Sequence, residues 1–419
     1  MTRRRIAVIG AGVAGLSAAY VLQREADVTL YEAADRLGGH ADTHDVGTAD
    51  GRMLGIDTGF IVHNQRTYPT LMRLFHELDV ATQESDMSMS VSCAGCGLEY
   101  AGGRGVSGLL PAARALRNPR YLRMLGEVVR FHRRAKALLA SADDAQTLRE
   151  FLTEGGFSPY FGAHFMTPLV AAVWSTAPTQ AGDYPARYLF TFLANHGMLS
   201  VTGAPQWYTV AGGSARYVEK VAKVLHSVQI SSPVRAVTRL AGGVEIRDDA
   251  DGLAAFDGVV LATHPGQALR MLDQPTAAQA QVLGSIAYTV NPALLHTDTS
   301  VLPRTARAQA SWNYALPACD AAPTSVQLSY NMNRLQRLDT SETYVVSLNA
   351  DERVDPGTVI DRMVYEHPVY TSESVAARQR LPELSDDVIA FAGAYHGWGF
   401  HEDGCRSGVD AAASLGVSW

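Results

Sequence analysis

The chain has little cysteine, four residues in 419. So few thiols in so long a chain make no disulfide framework, and the expected compartment is reducing and cytoplasmic. It has no apolar run long enough to span a bilayer. It also lacks an excess of positive charge: the formal net charge is −7, which gives no reason to expect nucleic acid as a partner. No internal repeat or low-complexity stretch is present. What is there, 47% hydrophobic and 18% charged residues, is the composition of a globular protein. Its length allows two domains and a sizeable core.

Glycine, by contrast, is placed with purpose near the start. A short β-branched run ends at Gly10, and an Ala-rich helical pattern begins near Val13. Gly10, Gly12 and Gly15 stand at the spacing of a dinucleotide-binding turn: the first for the tight turn, the second for backbone approach to a pyrophosphate, the third for close helix–strand packing. Phosphate would lie at the helix N-terminus beside Ala14, where free N–H groups and the dipole favour anions. Val28–Glu32 reads as the second parallel strand, and Glu32 falls where a carboxylate accepts both ribose hydroxyls. Arg3, Arg4 and Arg5 ahead of an apolar run could suggest a signal peptide, but three glycines and a helix continuing to Glu25 argue against it.

Cys93 and Cys96 form a C-x-x-C. A zinc site would want a second ligand pair, and Cys319 and Cys405 have no adjacent partner, so no metal site is expected. A redox dithiol would open a helix, whereas Met87–Val91 and Leu98–Ala101 have strand character. A hairpin tip is the expectation. From Arg104 to Lys136 there are nine basic residues and one acid, Glu127, with Leu122, Leu125, Val128 and Val129 as an apolar stripe. Such a helix either joins the core or lies on an anionic membrane surface. Phe157–Trp174 and Tyr184–Gly197 are rich in aromatics interrupted by His164 and His196, the pattern of a helical core or of an apolar substrate cavity.

After Glu32 the chain continues x-x-D-R-x-G-G through Asp35, Arg36, Gly38 and Gly39, then Asp57-Thr58-Gly59. This resembles the FAD-binding amine oxidase and phytoene desaturase superfamily. The resemblance implies that Arg36, Gly38, Gly39 and Gly59 line the pyrophosphate and flavin edge, and that backbone at Val234 faces the adenine. It implies a cofactor-side strand over Phe256–Pro265 and a closing strand, turn and helix from Asp387 to Leu415. Gly393, His401 and Glu402 would then lie at the flavin, where a helix N-terminus stabilises charge on the reduced ring. Glu402 or Asp403 is equally suited to a plain N-cap. The cofactor implied is non-covalent FAD, since Cys405 sits inside the terminal helix.

The expected fold is therefore α/β: a Rossmann-like FAD domain in separated segments (1–85, 205–266, 385–419) with an inserted substrate domain (86–204, 267–384) of mixed sheet and helices. Trp312-Asn313-Tyr314 and Ser329–Gln336 read as its strands. Those motifs, with His367-Pro368-Val369-Tyr370 and Tyr395–Gly404, resemble a bacterial group of FAD oxidoreductases associated with cyclopropane-fatty-acid-synthase-like methyltransferases. The resemblance implies hydride transfer to or from an unsaturated or methyl-branched acyl chain, with a lipid methyltransferase as partner and the inner membrane face as a peripheral location. A flavin amine oxidase and a non-catalytic accessory protein are the alternatives. His63, His396, His401 and Tyr395 flank the cofactor motifs and are the candidate proton acceptors.

Overall fold

The computed structural model describes residues 3–48, 50–113, 115–141, 146–200, 203–321 and 323–419. Two sheets organise it. The first is five-stranded and parallel, in the spatial order Ser227–Gln229, Ala26–Tyr31, Arg4–Ile9, Gly258–Leu261, Ile389–Phe391. Ile6–Ile9, Gly258–Leu261 and Ile389–Phe391 are unbroken apolar runs buried along their length, as a parallel sheet covered on both faces requires. The helix Val13–Leu22 is apolar on nearly every side and buried accordingly. It crosses the final helix, His401–Ser414, at close range. A Cβ at Gly408 would come within 2.2 Å of the Ala14 carbonyl oxygen, so only glycine permits this crossing.

The second sheet is seven-stranded and mixed, in the order Val359–Pro368, Tyr288–His296, Val345–Leu348, Leu328–Asn331, Trp312–Leu316, Met89–Cys93, Leu98–Gly102. Trp312–Leu316 runs parallel to Met89–Cys93, and the other neighbours are antiparallel. The parallel sheet thus draws its strands from 1–85, 205–266 and 385–419, and the mixed sheet from 86–204 and 267–384. Buried Asp57 holds the two parts in register. Its carboxylate accepts from Thr43 Oγ1 (2.6 Å), the Ser214 N–H (2.8 Å) and hydroxyl (2.7 Å), and Gln336 Nε2 (3.1 Å).

The aromatic segments form a helical layer over the mixed sheet. Phe131, on the helix Pro119–Ala140, meets the rings of Phe151, Phe161 and Phe190 at 6.0, 5.9 and 5.3 Å. Two expectations change here. The helix buries Tyr121, Met124, Phe131 and Ala135, while Leu122 and Val129 face outward, 42% and 62% exposed. Buried Glu127 decides that face: it accepts from the Ser158 N–H and hydroxyl and pairs with Arg123 and Arg130. Arg114 of the basic stretch lies outside the described residues. Second, Ser329–Gln336 is not strand throughout. Asn331 accepts the Arg334 N–H and starts a helical turn, Met332–Leu335. Among the described residues, no helix is long and apolar enough to cross a membrane.

Candidate active site

The glycine corner is built by steric necessity. Gly10 has φ +98°, and a Cβ there would sit 2.7 Å from the Ala262 carbonyl oxygen. A Cβ on Gly15 would come within 1.8 Å of the Gly10 oxygen, so helix and strand could not close. Gly12 differs: nothing lies within 4 Å of its Cβ position. It caps the helix without a side-chain bond. The first-turn N–H groups of that helix have no intrahelical partner, and Gly12, Val13 and Ala14 open onto a cavity of about 730 Å³. This is the geometry of a pyrophosphate cradle.

At one end of the cavity stands Glu32. Its carboxylate is held by the N–H groups of Ala11 (2.7 Å) and Ala34 (2.9 Å). Further lone pairs remain for hydroxyl donors, with Val234 on the same wall. Gly39 (φ +57°) and Gly59 line the cavity too; a Cβ on Gly59 would strike the His40 carbonyl oxygen at 2.3 Å. Gly38 lies behind the wall, its N–H donating to the Ala11 carbonyl. Arg36 is turned away from the cavity: it pairs with Asp42 (2.8 Å) and donates to the Gly39 carbonyl (3.0 Å), fixing the loop rather than reaching a phosphate.

The C-terminal return supplies the other end, through Gly393, Ala394, Tyr395, Phe400 and His401. The His401 ring stacks on Phe60 (centroids 3.7 Å apart), and its Nε2 meets the Tyr217 hydroxyl at 2.9 Å. Burial holds this imidazole neutral, far below the usual histidine range. Its part is to shape the wall. Glu402 points elsewhere. It accepts the Thr70 and Leu71 N–H groups (3.0 and 2.9 Å), capping the helix Pro69–Glu77, whose N-cap position is held by Tyr68 with no side-chain bond of its own. Asp403 caps its own helix, accepting from Trp398 and Phe400. Glu402→Ala is accordingly expected to cost about 1–2 kcal/mol of stability, as lost caps do, while the protein keeps its flavin colour. An unchanged melting temperature with a colourless protein would show that Glu402 serves the cofactor instead.

Between these ends the cavity widens into an aromatic chamber. Trp174 packs on Phe192 (4.8 Å), Phe192 on Phe400 (5.0 Å), and Trp312 on Tyr330 (5.2 Å). Of the four candidate proton acceptors, Tyr395 lines the cavity, its buried hydroxyl without a protein partner, and His401 lines it in the stacked arrangement just described. His63 and His396 lie outside the lining. His63 is buried and His396 partly so, desolvation pushes both down to about 4, and neither His63 nitrogen has a hydrogen-bond partner. His40, His196, His264 and His367 also line the cavity, and of these His196 stacks on Phe192 of the aromatic chamber, centroids 4.0 Å apart. Its Nδ1 sits 2.9 Å from the Phe192 carbonyl, and burial lowers it to about 4. A neutral ring beside a carbonyl carries its proton on Nδ1, which leaves Nε2 as the acceptor. In the sequence, His196 shows only as a break in an aromatic stretch. No cysteine is among the cavity residues; the Cys405 thiol meets the Ser17 hydroxyl at 3.2 Å behind the glycine corner.

Residues 13–360 match the family model described as flavin containing amine oxidoreductase. A putrescine oxidase bound to putrescine is similar in structure, with 18% identity, 99% of each chain covered and a TM-score of 0.70. A CLA-producing fatty acid isomerase from P. acnes is similar at 16% identity, 99% coverage of each chain and a TM-score of 0.68. A cyclohexylamine oxidase from Brevibacterium oxydans gives 18%, 99% of each chain and 0.68. Identities this low speak to the fold; the family match covers most of the chain. With free helix N–H groups, the Glu32 carboxylate and the closing helix around one cavity, and with the family match over residues 13–360, the chain belongs to the flavin containing amine oxidoreductase family and is an FAD-dependent oxidoreductase.

Proposed function

We propose that the substrate is a long unsaturated or methyl-branched acyl chain, which the protein desaturates, saturates or isomerises. The chamber carries this reading. Its wall of Trp174, Phe192, Met198, Trp207, Trp312 and Tyr330 contains no carboxylate. Among the described residues, the acids that do line the cavity are Glu32, Asp249 and Glu366; Glu32 is held at the glycine corner, and Glu366 pairs with His264 (2.8 Å). Each methylene moved from water to such a wall gains about 0.8 kcal/mol, whereas an ammonium would lose its hydration with no counter-charge. FAD, when bound, supplies the two-electron donor or acceptor. The chain's own residues bind and align the carbon to react, and the aromatic rings exclude water. Neutral His196 can take up a proton at Nε2 and return it, the requirement of a double-bond shift.

An aromatic wall also attracts cations, which makes an amine the second reading, alongside the two amine oxidases of similar fold. Exposed Val106, Leu116, Leu122 and Val129 lie within the basic stretch, which supports contact with an anionic membrane surface that holds the acyl chain. The decisive assay therefore presents acyl chains in anionic vesicles, anaerobically. Bleaching of the flavin, or a moved double bond in the recovered lipid, is expected, and Trp312→Ala should lower kcat/KM about tenfold or more through lost packing on the chain. If primary amines bleach the flavin and no lipid does either, the acyl reading is wrong.

A further inference from the structure

The C-x-x-C turn does not stand alone in space. The loop after Trp312–Leu316 brings Cys319 Sγ to 3.7 Å from Cys93 Sγ, and His164 Nε2 lies 3.7 Å from Cys96 Sγ. All four ligand atoms fall within 4.8 Å of one another. This corrects the expectation that Cys319 has no partner. We propose that Cys93, Cys96, Cys319 and His164 bind one zinc ion in a closed Cys3His site. With Zn–S near 2.3 Å and Zn–N near 2.0–2.1 Å, a tetrahedron has edges of about 3.8 Å between sulfurs and about 3.6 Å from sulfur to nitrogen. The two 3.7 Å separations in the structure already match.

The surroundings are those of ligands rather than of a chance cluster. His164 Nδ1 lies 3.1 Å from the Tyr160 carbonyl, which fixes the tautomer with Nε2 unprotonated toward the sulfurs. The Tyr160 ring stacks on the imidazole at 3.9 Å, and the Tyr100 hydroxyl holds the His164 carbonyl at 2.8 Å. A Cβ on Gly95 would lie 3.0 Å from Ala318 Cα, so glycine is what lets the Cys319 loop approach, and Gly97 takes the left-handed φ of +69°. His164 sits in a π-helical turn, Gly162–Met166, a local departure that re-aims one side chain. Four protein ligands leave no open position, and none of the four lines the flavin cavity, so the role is structural. The ion would tie the edge hairpin of the mixed sheet to the turn that leads into Thr167–Trp174, and so brace the chamber wall.

The test is metal analysis of untagged, full-length protein. One zinc per chain is expected, released when an organomercurial titrates the thiols; a content below about 0.1 per chain, or a native Cys93–Cys319 disulfide found by mass spectrometry, overturns the proposal. Cys96→Ser and His164→Ala should each lose zinc and melt earlier while keeping a flavin spectrum, and full zinc retention in both would also overturn it. Should those variants prove insoluble, cobalt exchanged into the wild-type chain reads the same question. Tetrahedral d–d bands to the red of the flavin absorption support the site, and their absence refutes it. Neither readout depends on which substrate the chamber takes.

Discussion

A Gly12→Val chain folds, melts close to the wild-type apoprotein and purifies without flavin. The backbone at Gly12 is extended (φ −69°, ψ 178°), a conformation valine adopts without strain. Nothing lies within 4 Å of the added Cβ, so the apoprotein loses no packing. The same openness is what the pyrophosphate needs, because a branched side chain at the helix entrance blocks its approach to the first-turn N–H groups. A loss of at least about 100-fold in FAD affinity, roughly 3 kcal/mol, is expected by flavin titration of the apoprotein. Gly15→Val serves as the contrast. Its Cβ would meet the Gly10 oxygen at 1.8 Å, and no side-chain motion relieves a backbone collision, so that chain should not fold at all. A yellow, stoichiometric Gly12→Val holoprotein would place the phosphates elsewhere.

Acid should unfold this protein near pH 5, above the range where exposed carboxylates protonate. His63, His196 and His296 are buried, and desolvation lowers each to about 4; His401 is lowered further. In the unfolded chain each titrates near 6.5. The folded values are depressed, so the stability these groups contribute is complete above 6.5 and is lost as pH falls from 6.5 toward 4. At pH 5 each of the first three favours the unfolded chain by about 2 kcal/mol relative to neutral pH. His401 acts in the same direction, and together they reach into the ~5–15 kcal/mol that holds a typical domain. Asp57, raised by burial to about 6, works in the opposite sense, and returns only about 1 kcal/mol over the same interval. Circular dichroism against pH at constant ionic strength reads the midpoint. A chain still folded at pH 4 would mean that these imidazoles accept protons in place, through partners or water that the packing leaves room for.

Much of the cofactor side was legible from residues close in sequence. Gly10, Gly12 and Gly15 follow one strand and open one helix, and Glu32 ends the next strand, so a local pattern carries the geometry. Where local patterns failed, a long-range contact was responsible. Arg36 has the right spacing for a phosphate, yet Asp42 takes its charge. Glu402 opens the right helix, yet the unsatisfied N–H groups of Thr70 and Leu71, some 330 residues earlier, claim its carboxylate. His63 flanks a cofactor motif but is turned into a wall of aromatic rings.

The amino-acid sequence by itself determined the dinucleotide corner and the interrupted parallel sheet. Steric exclusion at glycine and apolar periodicity both act over a few residues, so both are written in order along the chain. Only the tertiary structure decided that His196 faces the chamber while His63 and His396 do not, and that Cys319 and His164 join the C-x-x-C turn. Cys93 and Cys319 are 226 positions apart. What brings them to 3.7 Å is the parallel pairing of Met89–Cys93 with Trp312–Leu316, a register set by the sheet as a whole and by no motif at either end.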